Sequence, residues 1–535
     1  MVLETSTGKV IALIIAPFLL RLLFSYLNSP LRSFPGPFWA QFTDLWRVLD
    51  YWRCTQIQTH QQLHERLGPA VRIGPNMISL SDPSLLKTVY STGGDFVKVC
   101  AFLARVIPSC SHGQPTQSNF YEVADAVSNG HGIENVFSTR SNAFHSRYMK
   151  PYQKYFAMNA ILEKEPFADK MVILLCQQLE NRFVDGKNAG KTAPLADWIE
   201  YCAWDLDWEL TFSQDMGFLK SGTDVKNIIH TGEMIMRYLG CIGQMPLLDR
   251  LLGKNPYCPI KFATFENAAI HSFQRVMERV ASQDAKSRQD FLGNFLEAKQ
   301  QYRDIVSDND VVSYLMMNVL AGADTTAIVM KAITYNVLTH PSVFKTLRAE
   351  LDAAHLSFPP SYEQTKELPY LNTVIKEGMR MHPVIGGILE RVVPDCGLTL
   401  PDGRVIAPGT KVGINPWVLS RNKDVYGTDS DKFLPKRWLC SENEDEDAYL
   451  ARLKKMNDAD LTFGSGKRVC VGRNMASLEI HKVISTLFGR YDIQLDHAVK
   501  EWSPRWWWFT FIDNIEVKIQ HRQNVASVEL NAKDA

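Results

Sequence analysis

The feature that most restricts this chain is the run Phe463-Gly-Ser-Gly-Lys-Arg-Val-Cys-Val-Gly472, followed at once by helical apolar spacing over about 473–488. Gly464 and Gly466 permit positive φ and close backbone approach, so a tight loop is expected ahead of the helix. Cys470 then stands near a helix N-terminus, where free N–H groups and the helix dipole stabilise a thiolate. A thiolate is a metal ligand where a neutral thiol is not, and Arg468 can reach an anionic group across the loop. Two phosphate-binding readings fail on detail. A P-loop needs glycine at 461 and Ser or Thr at 468, where the chain has Leu461 and Arg468. A dinucleotide glycine pattern needs its third glycine where Val469 stands.

The rest of the body reads as mainly α with a minor β part. The strongest helical pattern covers 308–339, with Asp308 or Asp310 as cap and His340-Pro341 as its end. A helix over that range would run roughly 48 Å, and its apolar middle predicts burial. Further helical spacing covers 160–182, 196–213, 225–240, 262–281 and 366–382. Residues 71–80 read as a hairpin around Gly74-Pro75-Asn76, and Ser81-Asp82-Pro83 starts a helix. Short strands are expected at 389–393, 398–400, 404–406 and 411–414. Residues 93–135, rich in Gly, Ser, Pro and Asn, read as a long irregular loop, and 441–447 as a solvated acidic insert.

Composition removes several classes. Of 535 residues, 45% are apolar and 22% charged, which excludes wholesale disorder. Lys+Arg and Asp+Glu balance at 58 each, so there is no basic footprint for nucleic acid. The 10 cysteines show no CxxC pair and no zinc spacing, which argues against a disulfide or zinc scaffold and fits a reducing compartment. Residues 10–27, VIALIIAPFLLRLLFSYL, are long enough to span a bilayer. Residues 1–30 are therefore expected to be a membrane anchor, separated by Pro35-Gly36-Pro37 from one body over 31–535. The positive excess after the span, at Arg21 and Arg32, places that body in the cytosol, and the chain has no Asn-x-Ser/Thr acceptor.

The run 463–472 resembles the cytochrome P450 haem loop, Phe-x-x-Gly-x-Arg-x-Cys-x-Gly, at every fixed position. Three further motifs in order strengthen the likeness: Ala321-Gly-Ala-Asp-Thr-Thr326, Glu377-x-x-Arg380, and Phe433-Leu-Pro-Lys-Arg-Trp438. Phrases such as 417–427, WVLSRNKDVYG, look most like microsomal enzymes of filamentous fungi, the pisatin-demethylase-like group included. The resemblance implies the P450 fold, haem b, and electrons from NADPH through a membrane-bound reductase. It implies Cys470 as the iron ligand, with Phe463, Gly464, Gly472, Ala321 and Gly322 around the cofactor and Arg468, His145 and Arg391 on its propionates. Met149 stands where the family has a further propionate Arg, with Lys150 beside it. Glu377, Arg380 and Arg437 would form a buried ion network behind the haem, Lys436 replacing the usual Glu. Asp324 and Thr325 would relay protons.

The function implied is a monooxygenase that inserts one oxygen atom from dioxygen into a hydrophobic small molecule, as in fungal secondary metabolism, at the endoplasmic reticulum membrane. Arg147, Lys150 and Lys154 form a basic stripe that would meet the reductase. Pocket walls are expected from 96–130, 216–252, Val319 to Ala323, 384–389 and 506–508, with Trp506, Trp507, Trp508 and Phe509 favouring a bulky apolar ligand. Two alternatives stay open: a haem-thiolate isomerase or dehydratase that does not use dioxygen, and a non-catalytic, membrane-tethered haem protein.

Overall fold

The computed structural model of the chain describes residues 26–91, 116–128, 131–260, 262–264, 266–281, 289–496 and 502–522. Nearly all of the expected anchor, and residues 92–115 of the expected loop, lie outside them.

The chain opens with helix α1 (Leu45–Trp52), then the hairpin of β1 (Ala70–Gly74) and β2 (Met77–Leu80). Ala70 pairs with Leu80 and Val71 with Ser79 across the expected turn. Asp82 then accepts from the Ser84 N–H, and a 3-10 turn over Pro83–Leu85 leads into the short helix Leu86–Val89. A short strand β3 (Thr116–Gln117) follows, then helices α2 (Asn142–Met149), α3 (Glu165–Leu179), α4 (Leu195–Phe212) and α5 (Ile228–Ile242). The long helix α6 is Asp308–Thr339, and α7 is Pro369–Met381. Strands β4 (Arg391–Val392) and β5 (Lys411–Ile414) precede α8 (Arg473–Arg490).

One mixed sheet runs in the order β1-β2-β5-β4-β3. Its register sets Val412 opposite Arg391, and Arg391 opposite Gln117 on the far side. Helix α6 is the axis of the molecule. Ser307, not Asp308 or Asp310, is its N-cap: the Ser307 hydroxyl accepts from the Asp310 N–H (3.3 Å) while Asp310 accepts from the Ser307 N–H (2.8 Å). That reciprocal arrangement satisfies two otherwise orphaned donors. By length and composition α6 could cross a membrane, but it is packed against α4, α7 and α8 as a core helix.

Three expectations of local structure change. The described residues of 116–135 are not an irregular loop: they hold β3, a 3-10 turn over Asn119–Ala124, and a pairing of Ala126–Ser128 with His131–Ile133. The turn is capped by Ser118 and buries Phe120 and Tyr121, and that apolar burial orders it. The pattern over 160–182 breaks, because Pro166 sits in the first turn of α3 and lacks the N–H that continuity with helix Met158–Leu162 requires. Asp445 in the acidic insert caps a helix over Glu446–Asp458, and Glu444 pairs with Arg452 at 2.6 Å, so the segment has a local structural role. Cys396 is disulfide-bonded, against the expectation of wholly unpaired cysteines, while Cys54, Cys176, Cys202, Cys241, Cys258, Cys440 and Cys470 are free.

Candidate functional site

The loop ahead of α8 closes on itself. Gly464 and Gly466 adopt φ of +71° and +69°, which only glycine takes without strain. A Cβ on Gly466 would lie 1.9 Å from the Tyr90 carbonyl oxygen, so this loop can seat against that neighbour only with glycine. The Cys470 N–H donates to the Phe463 carbonyl at 2.8 Å, which brings the two ends of the loop together, and Gly472 caps α8. Cys470 is exposed, yet protein crowds its sulfur: burial raises the thiol pKa, opposed by the Gly472 and Arg473 N–H groups and the Arg473 charge. Helix-terminal donors do aim at the sulfur, but burial outweighs them. Ionisation therefore awaits the cation that the sulfur would bind, because a coordinated thiol gives up its proton.

Behind the loop, Glu377 and Arg380 of α7 pair through two hydrogen bonds of 2.8 and 2.7 Å. Glu377 also accepts from Arg437 (3.3 Å), the Trp438 indole (2.9 Å) and the Leu434 N–H (2.9 Å). Arg380 spends its remaining donors on the carbonyls of Ser420, Ser430 and Lys432. Lys436 is exposed. Glu377, Arg380, Arg437 and Trp438 are all buried, so one carboxylate ties α7 to the 434–438 segment. A small cavity lined by Arg380, Tyr426, Leu461 and Thr462 joins this network to the start of the cysteine loop. Trp438 is a member that the motif reading passes over; its aromatic position beside Arg437 was the available signal.

In mid-α6 the motif residues diverge. Ala321 is exposed although its helix is otherwise packed, and the Thr325 hydroxyl donates to the Ala321 carbonyl at 2.8 Å and lies 3.3 Å from that of Gly322. Asp324 is buried and turns instead to α4, where it accepts from the Trp204 indole at 2.8 Å. Consecutive helix residues point about 100° apart, so the pair cannot share one face. Burial first, then Glu200, pushes the Asp324 carboxyl up to about 8, against the Trp204 hydrogen bond and Lys331, which lower it. On its Cβ side Gly322 abuts α4, where a Cβ would meet Asp207 Oδ1 at 2.8 Å. Val319 and Ala323 are fully buried in the core. Trp507, Trp508 and Phe509 are core residues as well, Trp508 lying 4.6 Å from the Phe120 ring, while Trp506 is half-buried.

A cationic corner faces the loop. Arg468 reaches the start of α2, its Nη2 donating to the Ser141 carbonyl and to Asn142, while its buried Nε and Nη1 have no partner among the described residues. Burial and the nearby Arg391 lower the Arg468 pKa to about 10. Arg391 is buried over the Tyr90 ring. Burial and the Arg468 charge lower His145 to about 4, so its imidazole is neutral at pH 7. Met149 packs into the core and Lys150 is exposed. Two guanidiniums in mutual repulsion, one with orphaned N–H groups, are a site for an anion.

The described residues thus offer an exposed thiol at a helix N-terminus, an exposed alanine in a core helix, and buried guanidinium donors without a partner among them. The donor set fits a flat, iron-bearing group with carboxylate arms, held by one sulfur. A mainly helical fold with this donor set fits a haem protein with a cysteine ligand. The comparisons agree. The cytochrome P450 family model matches residues 120–518. A "Cytochrome P450 monooxygenase cfoH" from Aspergillus candidus is 33% identical over 96% of this chain and 93% of its own. A "Cytochrome P450 monooxygenase" from Aspergillus terreus is 35% identical, with 90% and 94% covered. The "Cytochrome P450 monooxygenase pkfB" of Emericella nidulans is 34% identical, with 89% and 88% covered. The chain belongs to the cytochrome P450 family. Membership brings haem b as cofactor and a reductase as the source of electrons.

Proposed function

We propose that the chain is a haem-thiolate monooxygenase that places one oxygen atom from dioxygen into a hydrophobic small molecule, in a fungal biosynthetic pathway for a terpenoid, polyketide or alkaloid. The observation that carries this reading is Cys470, open at the N-terminus of α8 in a loop closed by the Cys470–Phe463 hydrogen bond. The relatives' names support the chemistry. Haem, when bound, supplies the binding and reductive cleavage of dioxygen. Cys470 would hold its iron, with Phe463, Gly464 and Gly472 shaping the loop and Arg468, Arg391 and His145 taking its carboxylates. Ala321 would lie against it.

The protein's own part is proton handling and positioning. Thr325 holds a hydroxyl proton at Oγ1 and parks it on the Ala321 carbonyl (2.8 Å), from which one rotation frees it. Asp324 keeps its carboxyl proton at neutral pH because it is buried. Since the two side chains part company, a proton passing between them travels through water. The Glu377 network keeps the loop in place and does no chemistry.

The anchor over 1–30 and the endoplasmic reticulum membrane belong to the same proposal. Phe38, Trp39, Leu45, Leu49 and Trp52, just after the span, are between 46% and 65% exposed, which supports a membrane-facing edge. Arg147, Lys150 and Lys154 are all exposed. They do not share one helix face, since Lys154 lies in a separate 3-10 turn over Gln153–Phe156, but they remain the basic surface offered to a reductase. The test is co-expression with a fungal reductase and a metabolite panel under isotopically labelled dioxygen. A product carrying one labelled oxygen atom is expected; NADPH-independent conversion without label would support the isomerase or dehydratase alternative.

A further inference from the structure

The helix Glu266–Ala281 has two unlike faces. Ala268, Ser272 and Arg279 are buried on one, where the helix packs on α6 and Arg279 donates to Asp290 and to the Phe212 carbonyl. On the other, Ile270 (46%), Phe273 (53%), Met277 (53%) and Val280 (58%) are exposed. Their spacing of three, four and three residues sets them in one line along the helix, roughly 15 Å long. Apolar side chains scattered singly on a surface are ordinary, but a continuous line of four, each about half exposed, marks an interaction surface. The same spacing is the seam that seats knobs into the holes of a second helix.

Position and charge choose the occupant. Phe262, just ahead of the helix, lies 4.8 Å ring to ring from Tyr238, near the end of α5 that meets α1. His271 hydrogen-bonds Lys226, ahead of the start of α5, and Arg279 reaches Phe212, the last residue of α4. The helix therefore runs back along α5, and Tyr238 and Lys226 stand roughly 18 Å apart along that axis. This carries the stripe away from the α1 edge proposed to face the bilayer. Ala269 and Val276 border the stripe on one side, Gln274 and Ala281 on the other, and none is charged. Arg275 and Glu278 lie outside these borders and pair with each other at 2.9 Å. A second copy of the same helix thus meets no like charge in either direction. Parallel pairing sets Phe273 and Met277 against themselves; antiparallel pairing sets Phe273 against Met277 and Ile270 against Val280.

We propose that the stripe of Ile270, Phe273, Met277 and Val280 is the contact between two copies of this chain, helix against helix. Four half-exposed side chains cover far less than the roughly 800 Å² that each partner gives to a standard interface, so the pairing is weak and reversible. Copies anchored in one membrane, as proposed above, meet at the raised effective concentration that such a contact needs. The pairing does not depend on the chemistry at Cys470, because the stripe faces away from α6.

The test uses the full-length holoprotein in detergent. Sedimentation velocity over rising concentration should show reversible self-association to a dimer. Met277→Glu should weaken that association about tenfold or more, while the reduced, CO-bound Soret band and the melting temperature stay as in the wild type. Mixing Met277→Glu with Met277→Lys should restore the dimer where the helices run parallel, and mixing it with Phe273→Lys where they run antiparallel. A wild type that stays monomeric at every concentration, association undiminished by Met277→Glu, or rescue by neither lysine variant would overturn the pairing. A fluorophore on Met277→Cys should not be quenched by brominated phosphatidylcholine vesicles carrying the protein; quenching would give the stripe to the bilayer and overturn the pairing as well. If Met277→Glu does not take up haem, Phe273→Ser is read in the same way.

Discussion

Glu479 couples acidity to stability. In the folded protein its carboxyl titrates at about 8 rather than 4.5, because burial disfavours the charged form. Between those values the unfolded chain has lost the proton and the folded chain keeps it. Its contribution to stability is therefore full below pH 4.5 and is lost as pH rises through about 8. Glu479→Gln removes that dependence. The difference in melting temperature between variant and wild type should shift in the variant's favour from pH 5 to pH 8; parallel curves would show that Glu479 is not held protonated. At this scale the sequence is legible where a motif fixes a residue type, as at Cys470, Gly464 and Glu377. It is silent on Asp207 and Glu479, because an acid in an amphipathic helix looks the same whether it faces water or the core. Nor does it show that the Cβ side of Gly322 faces Asp207, which follows only from the packing of α4 against α6.

Among elements, α7 carries the clearest energetic consequence. Glu377 is fully buried and holds Arg380, Arg437 and Trp438. Glu377→Gln leaves the buried Arg380 guanidinium without its counter-charge, while Arg437 keeps Asp429 at 2.7 Å, and breaking such a buried pair costs about 3–5 kcal/mol. The expected outcome is a lowered denaturant midpoint and loss of haem from the purified protein; full haem content would mean that the loop stands without the network. On α6, Thr325→Ala removes the hydroxyl at the Ala321 carbonyl. NADPH consumption should continue while peroxide replaces product, and tight coupling in that variant would remove Thr325 from the relay. Helix ends were readable where proline marked them, at His340-Pro341 and before Pro383. The 116–135 segment was not, because its Gly and Ser content resembles a loop. Its order comes from burying Phe120 and Tyr121 against distant aromatic rings, although Asn129-Gly130 is itself a strong hairpin signal.

For the whole molecule, mainly helical architecture follows from the long apolar pattern of α6 and the helices around it; of the late strands, β4 and β5 join the mixed sheet because β5 pairs in parallel with the distant β2, while Leu398–Thr399 and Val405–Ile406 pair as a separate two-stranded sheet. No local pattern announces that crossover. The surface prediction concerns Lys154, which is 46% exposed and loosely paired with Glu297 at 3.8 Å. Lys154→Glu should raise the reductase concentration for half-maximal turnover, more at low salt than high, because exposed charges are screened beyond about 10 Å at 0.1 M. An unchanged requirement would move the docking surface elsewhere. All of this stands on a sulfur ligand to iron at position 470. The direct measurement is the absorption spectrum of the dithionite-reduced holoprotein under carbon monoxide, beside Cys470→Ser. A red-shifted Soret band in the wild type, lost in the variant, is the predicted result; a wild-type spectrum without that band would contradict it.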